Sequence, residues 1–244
     1  MNISLQEKIG EIVRQDYRTA TLFKEKGIDF CCRGNRTLAE VIDEKGLKAE
    51  SILDELERII HFENKETLDF KLWPLDLIVD YIEKKHHRYV RQQIPIITAY
   101  LDQIVKAHGH QHPALKEVRT LFVEGGEELM VHMESEETIL FPMIRELANV
   151  PINEVSHSCA PIQFFRQMIQ SMMNEHEVEG NRWRIIEKLT QEYQMQFGCN
   201  VTHVTFQLLR EFQEDLHMHI HLENNILFPG ALELKDRKIK ALQS

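Results

Sequence analysis

Apolar positions recur along the chain with two kinds of reach. In the first 62 residues the stripes are short. Ile9, Ile12, Val13, Ala20 and Phe23 fall at helical spacing after Ser4-Leu5-Gln6-Glu7, the pattern of a capping box, and Gly27 is placed to stop the helix. Thr37-Leu38-Ala39-Glu40 repeats the capping pattern and Gly46 the stop. Ile52, Leu53, Leu56 and Ile59 mark a third helix from about 49 to 61. Three short helices make a marginal core, which needs help from the rest of the chain. Beyond residue 73 the stripes are long. Pro74 opens a first long helix through Leu75, Ile78, Val79 and Ile82, with a kink expected at Pro95. Pro113 opens a second, which Gly125-Gly126 weakens midway and Pro142 bends at its end. A connection spans about 150 to 160. A third helix runs from near Pro161 past Trp183 toward Phe197, Gly198-Cys199-Asn200 make a turn, and a fourth helix starts near Thr202. Residues 230–244 read as a frayed end.

Long helices joined by short loops imply an antiparallel four-helix bundle. The expected architecture is all-α, with a small three-helix unit at 1–62, a linker at 63–73, the bundle at 74–234 and a solvated basic tail at 235–244. Only 10 Gly and 7 Pro in 244 residues suit long helices rather than a many-turned β fold. The net charge of −10 argues against nucleic acid as a partner, because phosphate binding relies on Lys and Arg. No apolar run is long enough to span a membrane and no leader-like segment opens the chain, so a soluble, cytoplasmic protein is expected.

The chemistry lies in a stretch that occurs twice. His132, Glu136 and Ile139-Leu140-Phe141-Pro142 recur as His219, Glu223 and Ile226-Leu227-Phe228-Pro229, 87 residues later. On a helix, i and i+4 share a face, so each copy sets an imidazole beside a carboxylate. One such pair is common on any helix surface. Two in register point to an internal duplication and to half-sites facing each other across a bundle, a pocket suited to two iron ions. Duplication also asks for a ligand from each remaining long helix. His176 sits in the third, and the same offset back falls at residue 89, beside His86 and His87. Glu136 and Glu223 are placed to bridge two metals. Glu128 and Asp215 lie one turn before His132 and His219 and are expected to accept their second N–H.

Four cysteines are present: Cys31, Cys32, Cys159 and Cys199. Neighbouring Cys31 and Cys32 bridge each other only with strain, so free thiols in a reducing compartment fit better than a disulfide framework. The pair falls in the turn between the first two helices. It reads either as buried structural sulfur or as redox-active or metal-handling thiols whose pKa a helix start lowers.

With these motifs in place the chain resembles the repair of iron centres proteins, the di-iron family that repairs iron-sulfur clusters with a hemerythrin-like domain. Asp29-Phe30-Cys31-Cys32 followed by Gly34 is similar to that family's short N-terminal domain, although Arg33 stands where members often carry the first of two glycines. The resemblance covers nearly the whole chain. It implies His87, His132, Glu136, His176, His219 and Glu223 as ligands of two iron ions joined by oxo and carboxylate bridges. Asp80, seven residues before His87, and Pro95, eight after it, match the family and select His87 over His86. His203, His217 and His221 fall off the ligand face. The implied function is restoration of iron-sulfur clusters damaged by nitric oxide or peroxide. Labile iron would be donated to client proteins, with Cys31 and Cys32 receiving or passing it. An NO reductase and an O₂ or NO sensor are the competing classes, and the marginal N-terminal core makes a homodimer an expectation.

Overall fold

The computed structural model describes residues 3–16, 18–61, 69–151, 161–195 and 200–242. The expected features at 63–68, 152–160 and Gly198-Cys199 lie outside them, as do Cys159 and Cys199. Four short helices come first: α1 (Ile9–Gln15), α2 (Thr19–Glu25), α3 (Leu38–Lys45) and α4 (Ala49–His61). The single helix expected over 9–23 is two helices. Its break is local chemistry: Asp16 adopts an extended backbone, its carboxylate grips the Arg18 guanidinium, and its carbonyl accepts from Thr19 Oγ1 at 2.6 Å. Thr37 and Glu40 form the expected capping box, and Gly27 and Gly46 end α2 and α3 at φ +62°. Ser4 instead turns the chain into a bridge between Lys8 and Thr37.

The four long helices follow. α5 (75–108) runs through Pro95 uninterrupted, and α6 (114–149), α7 (Ile162–Leu189) and α8 (200–242) complete the bundle. α5 packs on α6 and α8, and α6 on α7. α7 stops eight residues short of Phe197. Gln191, Glu192 and Tyr193 then turn the chain at positive φ, with the Tyr193 hydroxyl bonded to Gln213 Oε1 at 2.8 Å. No helix among the described residues is long and apolar enough to cross a membrane.

Three of these helices contain a wide π turn: Ile82–His87 in α5, Glu136–Leu140 in α6 and Glu223–Leu227 in α8. In α6 and α8 the turn begins on the duplicated Glu and ends just before Phe-Pro. Pro142 and Pro229 lack the N–H that would close an α-turn, and their rings crowd the carbonyl four residues back. Hydrogen bonds to the fifth residue back take up that mismatch, so the helix widens there into a π turn. The segment expected as a frayed tail is the last part of α8. Lys235 and Lys238 are buried in it, and Lys238 Nζ caps the end of α6 through the Leu147 and Val150 carbonyls.

Among the described residues two apolar clusters form, one on each side of a polar layer. One holds Ile78, Ile82, Phe141, Phe165 and Phe228. The other runs from Leu101, Phe122 and Trp183 of the bundle into Ile9, Phe23 and Leu56 of the N-terminal unit. The bundle thus completes the small unit's core. Gly125 and Gly126 let helices close: a Cβ on Gly125 would meet Arg182 at 2.6 Å, and one on Gly126 would meet Ile94 at 3.2 Å.

Candidate metal centre

Six side chains meet in the polar layer. α5 supplies His87, α6 His132 and Glu136, α7 His176, and α8 His219 and Glu223. They make two overlapping sets, His87-Glu136-His219-Glu223 and His132-Glu136-His176-Glu223, with one ligand-type atom per residue within 4.8 Å of the others. His132 is 5% exposed and the other five 2% or less.

The ring nitrogens face each other in pairs. His87 Nε2 lies 3.1 Å from His219 Nε2, and His132 Nε2 lies 3.0 Å from His176 Nε2. Each carboxylate touches both sets. Glu136 Oε2 is 3.5 Å from His87 Nε2 and 3.4 Å from His132 Nε2. Glu223 places Oε1 2.9 Å from His219 Nε2 and Oε2 3.2 Å from His176 Nε2. The duplicated Phe floors the layer: Phe141 stacks on His87 and Phe228 on His176.

Backing groups fix three of the four imidazoles from behind, while His219 Nδ1 meets no hydrogen-bond partner among the described residues. His87 Nδ1 pairs with Glu137 Oε1 at 2.7 Å, and Arg91 grips the same carboxylate at 2.7 and 2.8 Å. His132 Nδ1 pairs with Glu175 at 2.7 Å and His176 Nδ1 with Asn224 Oδ1 at 2.8 Å. The two expected acceptors serve elsewhere. Glu128 is mostly exposed and binds Arg182 at 2.6 Å, and Asp215 binds His86 Nδ1 at 3.0 Å. Each is held by a partner on another helix, Arg182 of α7 and His86 of α5, and so does not turn to the imidazole one turn along its own helix. The actual acceptors come from neighbouring helices. They were missed although each adjoins a ligand: Glu137 follows Glu136, Glu175 precedes His176, and Asn224 follows Glu223. The repeat offset also aligns Glu137 with Asn224, a usable signal.

The layer carries strong internal electrostatics. Burial pushes His87 down, but Glu136, Glu137 and Glu223 outweigh it and hold the imidazole at about 11. Burial likewise opposes charge on His176, and Glu223 outweighs it, to about 9. Burial lowers His219. Glu223 resists burial and stays far below the usual carboxylate range, because His219 and His176 face it. Both Glu136 oxygens and Glu223 Oε2 still lack an aligned donor. Unpaired carboxylate oxygens in a buried layer, with four imidazoles aimed at them, are satisfied by cations, and mixed nitrogen and oxygen donors suit first-row transition metals.

His86 is buried beside this layer and stacks on His219, outside both donor sets. His203 is exposed. His217 and His221 turn toward Phe30, the residue before the cysteines. The cysteine loop itself rests on the bundle. Cys32 Sγ lies 3.1 Å from the His176 carbonyl, and Asn224 Nδ2 donates to the Cys31 carbonyl at 3.3 Å. Of the two readings of the pair, a lowered thiol pKa is not found at Cys31, which is buried. The hydrogen bond with Cys32, burial and the Asp29 charge drive the Cys31 thiol well above its ordinary value. On the other side, a groove of about 610 Å³ between α6 and α7 reaches His132 and His176 past Val131, Val178, Glu175 and Glu179.

A bundle whose facing helices pool histidines and shared carboxylates is a metal-binding helical bundle. The sequence comparisons agree. Residues 79–231 match the hemerythrin HHE cation binding domain, and residues 5–60 match ScdA_N, a domain of unknown function (DUF542). The chain belongs to the hemerythrin HHE cation-binding family. It is similar to proteins named iron-sulfur cluster repair protein. That called YtfE in Pectobacterium carotovorum is 30% identical over 93% of this chain and 96% of the relative. Those called ScdA in Staphylococcus epidermidis and Staphylococcus haemolyticus are 25% and 27% identical, each over 93% of this chain and 98% of the relative.

Proposed function

We propose that this chain holds two iron ions, bridged by Glu136 and Glu223, and gives iron to iron-sulfur clusters damaged by nitrosative or oxidative stress in cytoplasmic client proteins. Residues 74–234 serve as the iron-holding unit and 1–62 as the thiol unit. The observation that carries this reading is the seat of the Cys31-Cys32 loop on the site: its sulfur and carbonyl touch His176 and Asn224 directly. The names of the relatives support the repair role.

Iron is cargo here, and the protein's own groups favour its departure. As it leaves, His87 and His176 take up protons, since the carboxylates raise their affinity for them. The Glu136 and Glu223 charges are then neutralised without collapse of the layer. When bound, a pair of irons also supplies positions for oxygen-type ligands or small gases. The partly apolar groove to His132 and His176 favours a second reading, reduction of NO at the site.

The test is reactivation of an iron-sulfur enzyme such as aconitase after NO damage. Wild-type protein restores activity, and the Cys31→Ser/Cys32→Ser double variant restores it markedly more slowly. Equal rates sink the thiol relay. Sustained conversion of NO to N₂O, with no iron transferred, replaces donation by the second reading.

A further inference from the structure

The cysteine loop has the geometry of a site in its own right. Asp29, Cys31 and Cys32 each offer a donor atom, all within 4.8 Å of one another. Cys31 Sγ lies 3.7 Å from Cys32 Sγ and 3.3 Å from Asp29 Oδ1. The main-chain oxygen of His176 closes the next side, 3.1 Å from Cys32 Sγ. With metal–sulfur bonds of about 2.3 Å and metal–oxygen bonds of about 2.0 Å, a tetrahedron has sulfur–sulfur edges of about 3.8 Å and sulfur–oxygen edges of about 3.5 Å. The observed separations fall within a few tenths of an ångström of these.

The surroundings are built around this cluster. Asp29 Oδ1 receives the backbone N–H groups of Cys31 and Cys32 at 3.1 and 3.0 Å, which winds the loop so that both sulfurs lie together. Arg184 Nη1 holds the other Asp29 oxygen at 2.5 Å and offsets its charge. The bundle leaves space for the thiol: a Cβ on Gly180 of α7 would lie 2.7 Å from Cys32 Sγ. Gly34 lets the loop close, because a Cβ there would lie 2.5 Å from the Phe30 carbonyl oxygen. A cavity of about 90 Å³, lined by Asp29, Cys31, Gly180, Arg184 and His217, leads in from the surface, and Cys32 is itself partly exposed.

We propose that Asp29, Cys31 and Cys32, with the His176 carbonyl, form a third metal site that binds one thiolate-preferring divalent ion of the Zn(II) or Fe(II) class, separate from the two sets in the bundle. Binding replaces the two thiol protons, which leave to solvent. Two thiolates and a carboxylate around a divalent ion leave one net negative charge, and Arg184 faces it. Two sulfurs select against hard, oxygen-seeking ions. The site depends on no step of iron donation.

The experiment titrates Co(II), anaerobically and with thiols reduced, into the full-length protein with its iron content as purified. Tetrahedral thiolate Co(II) has a sulfur-to-metal charge-transfer band that nitrogen and oxygen sites lack. The expected result is one equivalent of that band, an unchanged iron count, and protection of Cys31 and Cys32 from alkylation. Cys31→Ser and Cys32→Ser each abolish the band, and Cys159→Ser/Cys199→Ser keeps it. Asp29→Asn, which still offers an oxygen to the loop N–H groups, weakens binding roughly tenfold or more. Gly180→Ala, which changes no donor, also weakens it by crowding Cys32. Absence of the band, its survival in Cys32→Ser, or its loss only in Cys159→Ser/Cys199→Ser overturns the proposal. The readout is the added ion's own band, so failure of aconitase repair does not move it.

Discussion

Glu137→Gln removes one charge behind the metal layer while keeping the shape of the side chain. Glu137 accepts from His87 Nδ1 at 2.7 Å and from two Arg91 nitrogens. The His87 hydrogen bond is the larger cause that brings the Glu137 carboxyl from 4.5 to about 2. That displacement is worth at most about 3 kcal/mol of preference for the charged form, and solvent screening at this partly exposed carboxyl reduces it. Divided between His87 and Arg91, it leaves about 1–2 kcal/mol for the imidazole, close to a tenfold change in affinity. Loss of a backing carboxylate in metal sites costs about 10–100-fold, the same range. The structure makes this loss one-sided, because His132 and His176 are backed by Glu175 and Asn224 instead. Competition of the ferrous-loaded protein against a chelator reads the outcome. Wild type releases iron over a single range, whereas Glu137→Gln gives up one ion about tenfold more readily and keeps the other. Unchanged release of both ions, with helicity intact, refutes the reasoning.

The remaining predictions concern the metal-free chain and the cysteine loop. His87 and His176 have folded pKa values of about 11 and about 9 against 6.5. Their stabilisation is therefore complete below about pH 6.5 and is lost as pH rises through about 9 and about 11. Melting of chelated protein falls over that window and that of metal-loaded protein does not; a flat profile for the chelated form contradicts the assignment. Gly34→Ala sets a Cβ 2.5 Å from the Phe30 carbonyl oxygen and 2.9 Å from Gly10 Cα. It costs about 1–3 kcal/mol in denaturant unfolding, and an unchanged midpoint shows that the loop has room to shift.

What could be read before folding was the part written as repetition. His132, Glu136, His219 and Glu223 stand out because the chain carries the motif twice, and the offset points to His176 and to the His86-His87 pair. The backing residues were hidden because they act across helices. Glu137, Glu175 and Asn224 reach imidazoles 43 to 50 residues away, so no local spacing reveals them, and local spacing pointed wrongly to Glu128 and Asp215. Asp16 broke an apolar stripe that otherwise continues, because its side chain found Arg18. The basic end of α8 looked solvated, yet Lys238 is buried where two orphan carbonyls need a donor. The Cys31 thiol sits above its ordinary pKa because the folded loop sets it beside Cys32 and Asp29 and buries it against the bundle.

The central claim is that the two donor sets share Glu136 and Glu223 around a pair of irons. Metal analysis of the aerobically purified protein, with its absorption spectrum, tests it most directly. The account predicts two irons per chain in the bundle with oxo-bridge bands, lost together in Glu223→Ala, since that carboxylate touches both sets. A single iron, a chain free of metal, or a pair of irons that survives Glu223→Ala contradicts it.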